Sequence, residues 1–570
     1  MPGIFRKYGI FLFIPGIVLG FSILLKLAAG PYWLATNFDP SYLYLINGLH
    51  ILKGIVLNDA THPGTPVQIL CCVICWVFNI GNCAGDVVKH VLIAPEFYLN
   101  IVFGILSAFS FFTAFGLGLY VFRKTGDKLA AVLTQLPALS YLVMKSWETF
   151  EPVLPVVANV SPEPMLISVL NLFNICLFMV FFAKTPKEKV AAGLFWGFVC
   201  GFGTAVKLTF LPLLAVPLIV LSWENRIYFI CVFMATFFVW TIPAIPLYPQ
   251  EWGWVSGFIT HGGRFQAEQA GGVDIRSFYL NGKNNIIEHW MFAGIFFAAL
   301  FLVSWKFASK KWDKVSLFIS AIILGILVQC LVVTQNPGAH YLLPSLGLFS
   351  PLLGLLYMLG LAQNALWRKI TFVCILIFVF LGVWQARSYF LKLEGLTRDI
   401  SVFHDHVCAK YQNCMFIDYY RSSDQQAALF FGDGWNRSLG LREDLFRLYP
   451  NKFFFNIWGK RIMSFSDRVW SNDLLLQNSR VLFRGDGNFD FSHSPFKVQL
   501  LEKGRFESIH LLTGTTEKQA SILMAIAVQF YRAGEYGQAR ACALQARRLH
   551  YQPESSVESL IRFFGTCLLI

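Results

Sequence analysis

Runs of about twenty apolar residues recur through the first 390 positions of this chain, and they limit its fold more than any other feature. A helix needs about 20 apolar residues to cross the hydrocarbon of a bilayer. Runs of that length make the fold class an α-helical polytopic membrane protein. Composition agrees: only 14% of the 570 residues are charged and 56% are hydrophobic, whereas soluble domains run near a quarter charged.

Basic knots punctuate the runs. They are Arg6 with Lys7, then Arg123, Lys124 and Lys128, then Lys184, Lys187 and Lys189, and then Arg226. Lys306, Lys310, Lys311 and Lys314 form the next, and Arg368 with Lys369 the last. Cytoplasmic loops collect Lys and Arg, and a threading that puts every knot inside gives about 11 transmembrane helices. They cover 9–30, 98–122, 129–146, 164–183, two short spans within 190–222 that break near Lys207, 227–247, a span ending at Lys306, 315–334, a span returning to Arg368, and 370–390. The run 67–80 is too short and of the wrong parity, so it is a helix on the outer surface within a long first loop. The N-terminal run is longer than a signal-peptide core and reads as an uncleaved first span. The net charge of +13 follows from this bias. No basic stripe or reader motif accompanies it, which excludes nucleic acid as a partner.

The threading leaves two domains, 1–390 in the membrane and 391–570 outside the cytoplasm. The second is mixed α/β, with strand-like runs MFIDYY, KFFFNIW and RVLFRG. Small and aromatic residues at about 518–552 resemble one tetratricopeptide-like helical hairpin, a candidate docking point for a protein partner. Asn159 and Asn436 head glycosylation sequons on the outer side. Cys71, Cys72 and Cys75 lack a second ligand pair at zinc spacing and read as helix packing. Cys408 and Cys414 fall in the polar region and are candidates to pair in an oxidising compartment.

Chemistry gathers at the outer ends of the spans. Residues 37–70 carry Asp39, Asp59 and His62 at a membrane mouth, where charges are costly without a use. Lys207 lies at the break within 190–222, His340 and Tyr341 open an outer turn, and Arg387 closes the last span. A further outer group comprises Glu163 in SPEP and Trp252, Trp254, His261 and Arg264 in the loop 248–288. Each has a plainer reading. Asp39 is also placed to cap the helix that follows, Asp59 suits a turn, the cations suit snorkelling, and the tryptophans suit an aromatic belt.

The order of FDPSY around Asp39, His62-Pro63-Gly64 in the same loop, GFGTAVKLTFLP around Lys207 and HYLLPSL from His340 resembles the type-C glycosyltransferases of the protein-mannosyltransferase and aminoarabinose-transferase kind. The resemblance covers roughly 1–390. The chain departs from it in reading HPG where relatives often read HPP, and in following the early Asp with Pro. The resemblance implies transfer of a sugar from a polyprenyl-phosphate carrier to an extracytoplasmic acceptor. Asp39 is then the base, with Asp59 and His62 orienting it or holding a divalent metal ion. Lys207, His340, Tyr341 and Arg387 receive the donor phosphate, and the loop with Glu163, Trp252, Trp254, His261 and Arg264 closes on the sugar. A bacterial plasma membrane is expected ahead of an endoplasmic reticulum. The rival classes are a lipid-linked glycan flippase, which tends to show internal repeats, and a non-catalytic membrane scaffold.

Overall fold

The computed structural model describes residues 8–34, 41–57, 64–144, 155–249, 252, 275–334, 339–361, 365–412, 414–419, 422–434, 440–456, 461–465, 481–486, 496–514 and six positions between 524 and 544. Two compact units emerge. The first comprises 1–32, 36–397 and 432–440, and the second 33–35, 398–431 and 441–570.

The first unit is built from α1 (Ile10–Ala29), α2 (Ser41–Lys53), α3 (Thr65–Val77), α4 (Ala84–Ile93), α5 (Pro95–Thr125) and α6 (Lys128–Gln135). It continues through α7 (Pro162–Phe182), α8 (Pro186–Val206), α9 (Ala215–Val220), α10 (Trp223–Thr241), α11 (Ile275–Glu288), α12 (Trp290–Ala308), α13 (Lys314–Val333), α14 (Leu343–Leu356) and α15 (Ala365–Lys410). Among the described residues nine helices are long and apolar enough to cross a membrane. Two predicted spans differ. The run 129–146 is α6 followed by a 3-10 segment Leu136–Val143, and the second half of 190–222 is a 3-10 turn Leu208–Leu214 followed by α9. Pro137, Pro212 and Pro217 each remove a backbone donor within these stretches, which favours short, tightened pieces over one regular helix. The predicted outer loop 248–288 contains α11. The helices α3 and α4 belong to the long first loop, where the sequence placed one surface helix.

Local chemistry sets the helix ends. Thr185 and Glu188 form a reciprocal capping box at α8, with Pro186 in its first turn. Asp127 accepts the Leu129 N–H at 2.8 Å to start α6, and Asp313 accepts the Ser316 N–H at 2.8 Å to start α13. The most enclosed spans are α7, 72% buried, and the stretch 340–359 that contains α14, 78% buried.

Four of the basic knots meet at one end of this unit. Arg368 approaches Asp127 at 3.7 Å, and Tyr357 donates to the same carboxylate at 3.2 Å. Lys314 donates to the Phe181 carbonyl at 2.6 Å. Lys124 lies within electrostatic range of Glu188, and Lys189 within that of Lys314.

The second unit holds a six-stranded mixed sheet in the order β3-β2-β1-β4-β6-β5. The strands are β1 (Met415–Asp418), β2 (Phe453–Asn456), β3 (Arg461–Ser464), β4 (Val481–Asp486), β5 (Phe496–Lys503) and β6 (Glu507–Gly514), with α16 (Gln425–Gly434) and α17 (Arg442–Leu448) between them. β1 is parallel to both β2 and β4, and the other pairs are antiparallel. The three sequence runs read as strands are β1, β2 and β4. Alternation works as expected: Val481 and Phe483 enter one core with Ile417 and Leu512, while Leu482 enters another with Val407 and Ile509. Cys408 and Cys414 are both free thiols, which corrects the expected pairing; Cys408 lies in α15 with its Sγ 3.6 Å from Nε2 of His404. The expected hairpin at 518–552 lies outside the described residues apart from isolated positions. The sequence boundary at 390 falls inside α15, which continues to Lys410.

Candidate functional site

At the end of α8 the chain turns out of the helix at Lys207, whose φ of −158° is extended. Its N–H still bonds the Gly203 carbonyl at 2.9 Å, and its own carbonyl accepts from Phe210 at 3.0 Å. Gly203 is required at this break, because a Cβ there would stand 2.8 Å from Val169 and 3.0 Å from Phe210. This is the physical content of the GFGTAVKLTFLP run. The Lys207 side chain is 2% exposed, and its ammonium is paired with the Glu163 carboxylate. Glu163 belongs to the first turn of α7, where Pro162 and a carboxylate suit the helix start.

Tyr341 completes the cluster. The Lys207 ammonium lies 4.9 Å from the centre of its ring, a cation–π contact. The His340 ring is 4.0 Å from that of Tyr341. Gln329 donates to the Tyr341 carbonyl at 2.9 Å and fixes the turn before α14. Glu163 lies at one end of α7 and Phe181, bonded to Lys314, at the other. A helix of that length spans about 30 Å. The Glu163–Lys207–Tyr341 cluster is therefore at the opposite end of the helices from the basic knots.

Parts of the first loop meet this cluster. The Gly64 N–H bonds the Val206 carbonyl at 3.2 Å, next to Lys207. Gly64 has φ +53°, in the left-handed region, and starts α3. A proline ring fixes φ near −65°, so HPP is incompatible with this turn and HPG fits it. Ser41 donates to Asn159, four positions before Glu163. Asn159 is 2% exposed, which removes it as an accessible glycosylation acceptor.

Asp39, Asp59 and His62, the latter two with the metal-ligand expectation, lie outside the described residues, as do Trp254, His261, Arg264 and Asn436. Their described neighbours are anchored. Tyr32 and Tyr42, on either side of the Asp39 segment, both bond Glu96: the Tyr32 N–H at 2.9 Å and 3.0 Å, and the Tyr42 hydroxyl at 2.9 Å. Lys26 covers the Tyr32 ring at 3.9 Å. Glu96 and Lys26 are not among the site residues expected from the sequence. Glu96 follows Pro95 in the first turn of α5, a visible helix-start pattern, but nothing local announces that its partners are 54 and 64 positions away. Nor is His50 among the expected site residues; it is fully buried, with its Nδ1 bonded to the Val56 carbonyl at 2.9 Å and its Nε2 facing Asp433 at 3.5 Å. Arg387 is exposed on α15, and the contacts tying Lys207, Glu163 and Tyr341 together do not include it. Trp252 is 71% exposed. Among the described residues no group of three His, Cys, Asp or Glu is placed to hold a metal. Cys71 and Cys75 are buried, in keeping with the packing role read from the sequence.

No family model and no curated protein matches the chain. Among solved structures it is similar to ArnT from Cupriavidus metallidurans bound to undecaprenyl phosphate, at 12% identity and a TM-score of 0.45, over 87% of this chain and 97% of that one.

Proposed function

We propose that the chain is a membrane glycosyltransferase that moves a sugar from a polyprenyl-phosphate carrier to an acceptor on the extracytoplasmic face. The observation that carries the reading is the buried Glu163–Lys207 pair under Tyr341, bonded through Val206 to the first loop. Removing two charges from water is expensive, and apolar residues of similar volume would pack as well. Ionisable groups within membrane helices mark binding and reaction sites.

In this reading Lys207 divides its three N–H donors. One holds Glu163, and the others face the donor phosphate. The acceptor oxygen or nitrogen attacks the anomeric carbon, the bond from that carbon to the phosphate oxygen breaks, and the electron pair leaves on the phosphate. The acceptor proton passes to Asp39. Lys207, with His340 and Tyr341 beside it, offsets the charge that grows on the leaving phosphate. Asp59 and His62 orient Asp39 from the same loop.

The test uses the full chain in lipid nanodiscs with a labelled polyprenyl-phosphate sugar. Asp39→Asn should lower transfer by about 10²-fold or more, with membrane insertion and thermal stability unchanged. Near-normal transfer by that variant removes Asp39 from the mechanism.

A further inference from the structure

A cleft of about 630 Å³ lies elsewhere in the first unit, between the 3-10 segment Leu136–Val143, the start of α12 and the middle of α15. None of its lining residues belongs to the Glu163–Lys207–Tyr341 cluster. Its volume is in the range of small-molecule sites. Its lining combines two chemistries. Leu139, Val143, Phe292 and Phe378 supply apolar surface. Glu288, His289, Gln385, Ser388 and Lys392 supply a carboxylate, an imidazole, an amide, a hydroxyl and an ammonium. The rings of Trp290, Trp384 and Tyr389 also line it.

The position matters as much as the lining. Trp290 begins α12 and Lys306 is near its end, about 25 Å away along the axis. Trp384 to Lys392 lie at a similar remove from Arg368 along α15. The cleft is thus at the helix ends away from the basic knots, where a lipid headgroup would be found. Trp290 and Trp384 are more than half exposed, as in an aromatic belt, yet they also border a space within the protein that a belt does not need. The His289 Nε2 is buried without a hydrogen-bond partner, which is costly unless a ligand or water supplies one. Burial lowers the His289 pKa, with Glu288 acting against it, which favours the neutral ring, able both to donate and to accept.

We infer that this cleft binds an amphiphile with a neutral, hydroxyl-rich headgroup, entering from the bilayer. The apolar side chains take the chain, the rings stack on a pyranose face, and the carboxylate, amide and imidazole exchange hydrogen bonds with hydroxyls. The formal charges of Glu288 and Lys392 offset each other, which argues for a sugar headgroup over a phosphate. The inference does not depend on the transferase reading.

The experiment uses the full chain in phosphatidylcholine nanodiscs and a dodecyl glucoside with a photoreactive group in its tail, read by mass spectrometry of the labelled peptides. Saturable labelling within 139–144 and 378–392 is expected. Unlabelled dodecyl glucoside should displace it, while dodecyl phosphocholine and methyl glucoside should not; displacement by methyl glucoside would make this a free-sugar site and overturn the lipid assignment. Trp384→Ala should weaken labelling about fivefold and Gln385→Ala by a similar factor. Phe301→Ala, on a lipid-facing position of α12, should leave it unchanged. Labelling that grows linearly without saturation, equal displacement by dodecyl phosphocholine, or indifference to both cleft variants overturns the inference. Thermal stability of each variant separates loss of the site from loss of fold.

Discussion

Lys207 and Glu163 show what single residues contribute. The sequence marks Lys207 by its place in a break between apolar runs. It does not reveal the partner, because the two are 44 positions apart and belong to different helices. Lys207→Met should cost about 3–5 kcal/mol of stability, since it leaves the Glu163 carboxylate buried and uncompensated. Adding Glu163→Gln should restore most of that loss without restoring donor affinity. Thermal unfolding and donor binding in nanodiscs measure the two effects separately. Wild-type donor affinity in the double variant would reduce the pair to a structural role. Gly64 is a second case. Its departure from the family-like HPP could be seen in the sequence, but the reason, a left-handed turn bonded to Val206, is visible only in three dimensions.

Among elements, period explains both what was legible and what was not. In β4, alternation and β-branched or aromatic residues gave the strand directly. In α15, hydropathy falls after 390 and a window average ends the span there. A helical stripe nevertheless continues through Leu393, Leu396, Ile400 and Val407, all buried, at the spacing of one helix face. Gly193, Gly197 and Gly201 repeat every four residues on α8. A Cβ on Gly197 would stand 2.6 Å from the Phe229 carbonyl oxygen, so this stripe lets α10 approach closely. The pattern was readable but carries no chemistry to draw attention.

The sheet of the second unit also buries charge. Arg484 bonds Asp418 at 2.7 Å and Asp424 at 2.9 Å, and Lys452 reaches Asp424 at 3.2 Å. Glu507 accepts the Ser423 N–H at 3.0 Å. Burial pushes the Asp424 carboxyl up, but Arg484 and Lys452 more than offset it and hold its pKa below the usual range. Burial dominates at Glu507 and keeps its pKa raised despite Arg484. A carboxyl with a raised folded pKa binds its proton more tightly when folded. Its contribution is full below the unfolded pKa and is lost as pH rises through the folded one. Stability of this unit should therefore fall as pH increases above the ordinary carboxylate range, and Glu507→Gln should flatten that fall. Thermal unfolding followed from acid to neutral pH checks it, and an unchanged slope in the variant would contradict it.

For the molecule as a whole, the distribution of charge between the two ends of the helices is the governing feature. Four of the six basic knots, those at Lys124, Lys189, Lys314 and Arg368, approach one another through Asp127, Glu188 and the Phe181 carbonyl. Lys207, Glu163 and Tyr341 converge at the other end, with Gly64 beside them. Positive-inside bias made that arrangement readable, because it sums over many residues and tolerates local error. The meeting of the first loop with α7 and α8 was not readable, since it depends on the Gly64 backbone bond and the Ser41 side-chain bond, which leave no compositional trace. A sugar transferase and a glycan flippase share this general layout but differ in what they leave behind. The direct test is mass spectrometry of finished envelope glycans and of their lipid-linked precursors, in cells with the chain and without it. The account predicts that one sugar disappears from the finished product and that its polyprenyl-phosphate donor accumulates. An unaltered finished product, with the lipid-linked precursor merely shifted between leaflets, would contradict it.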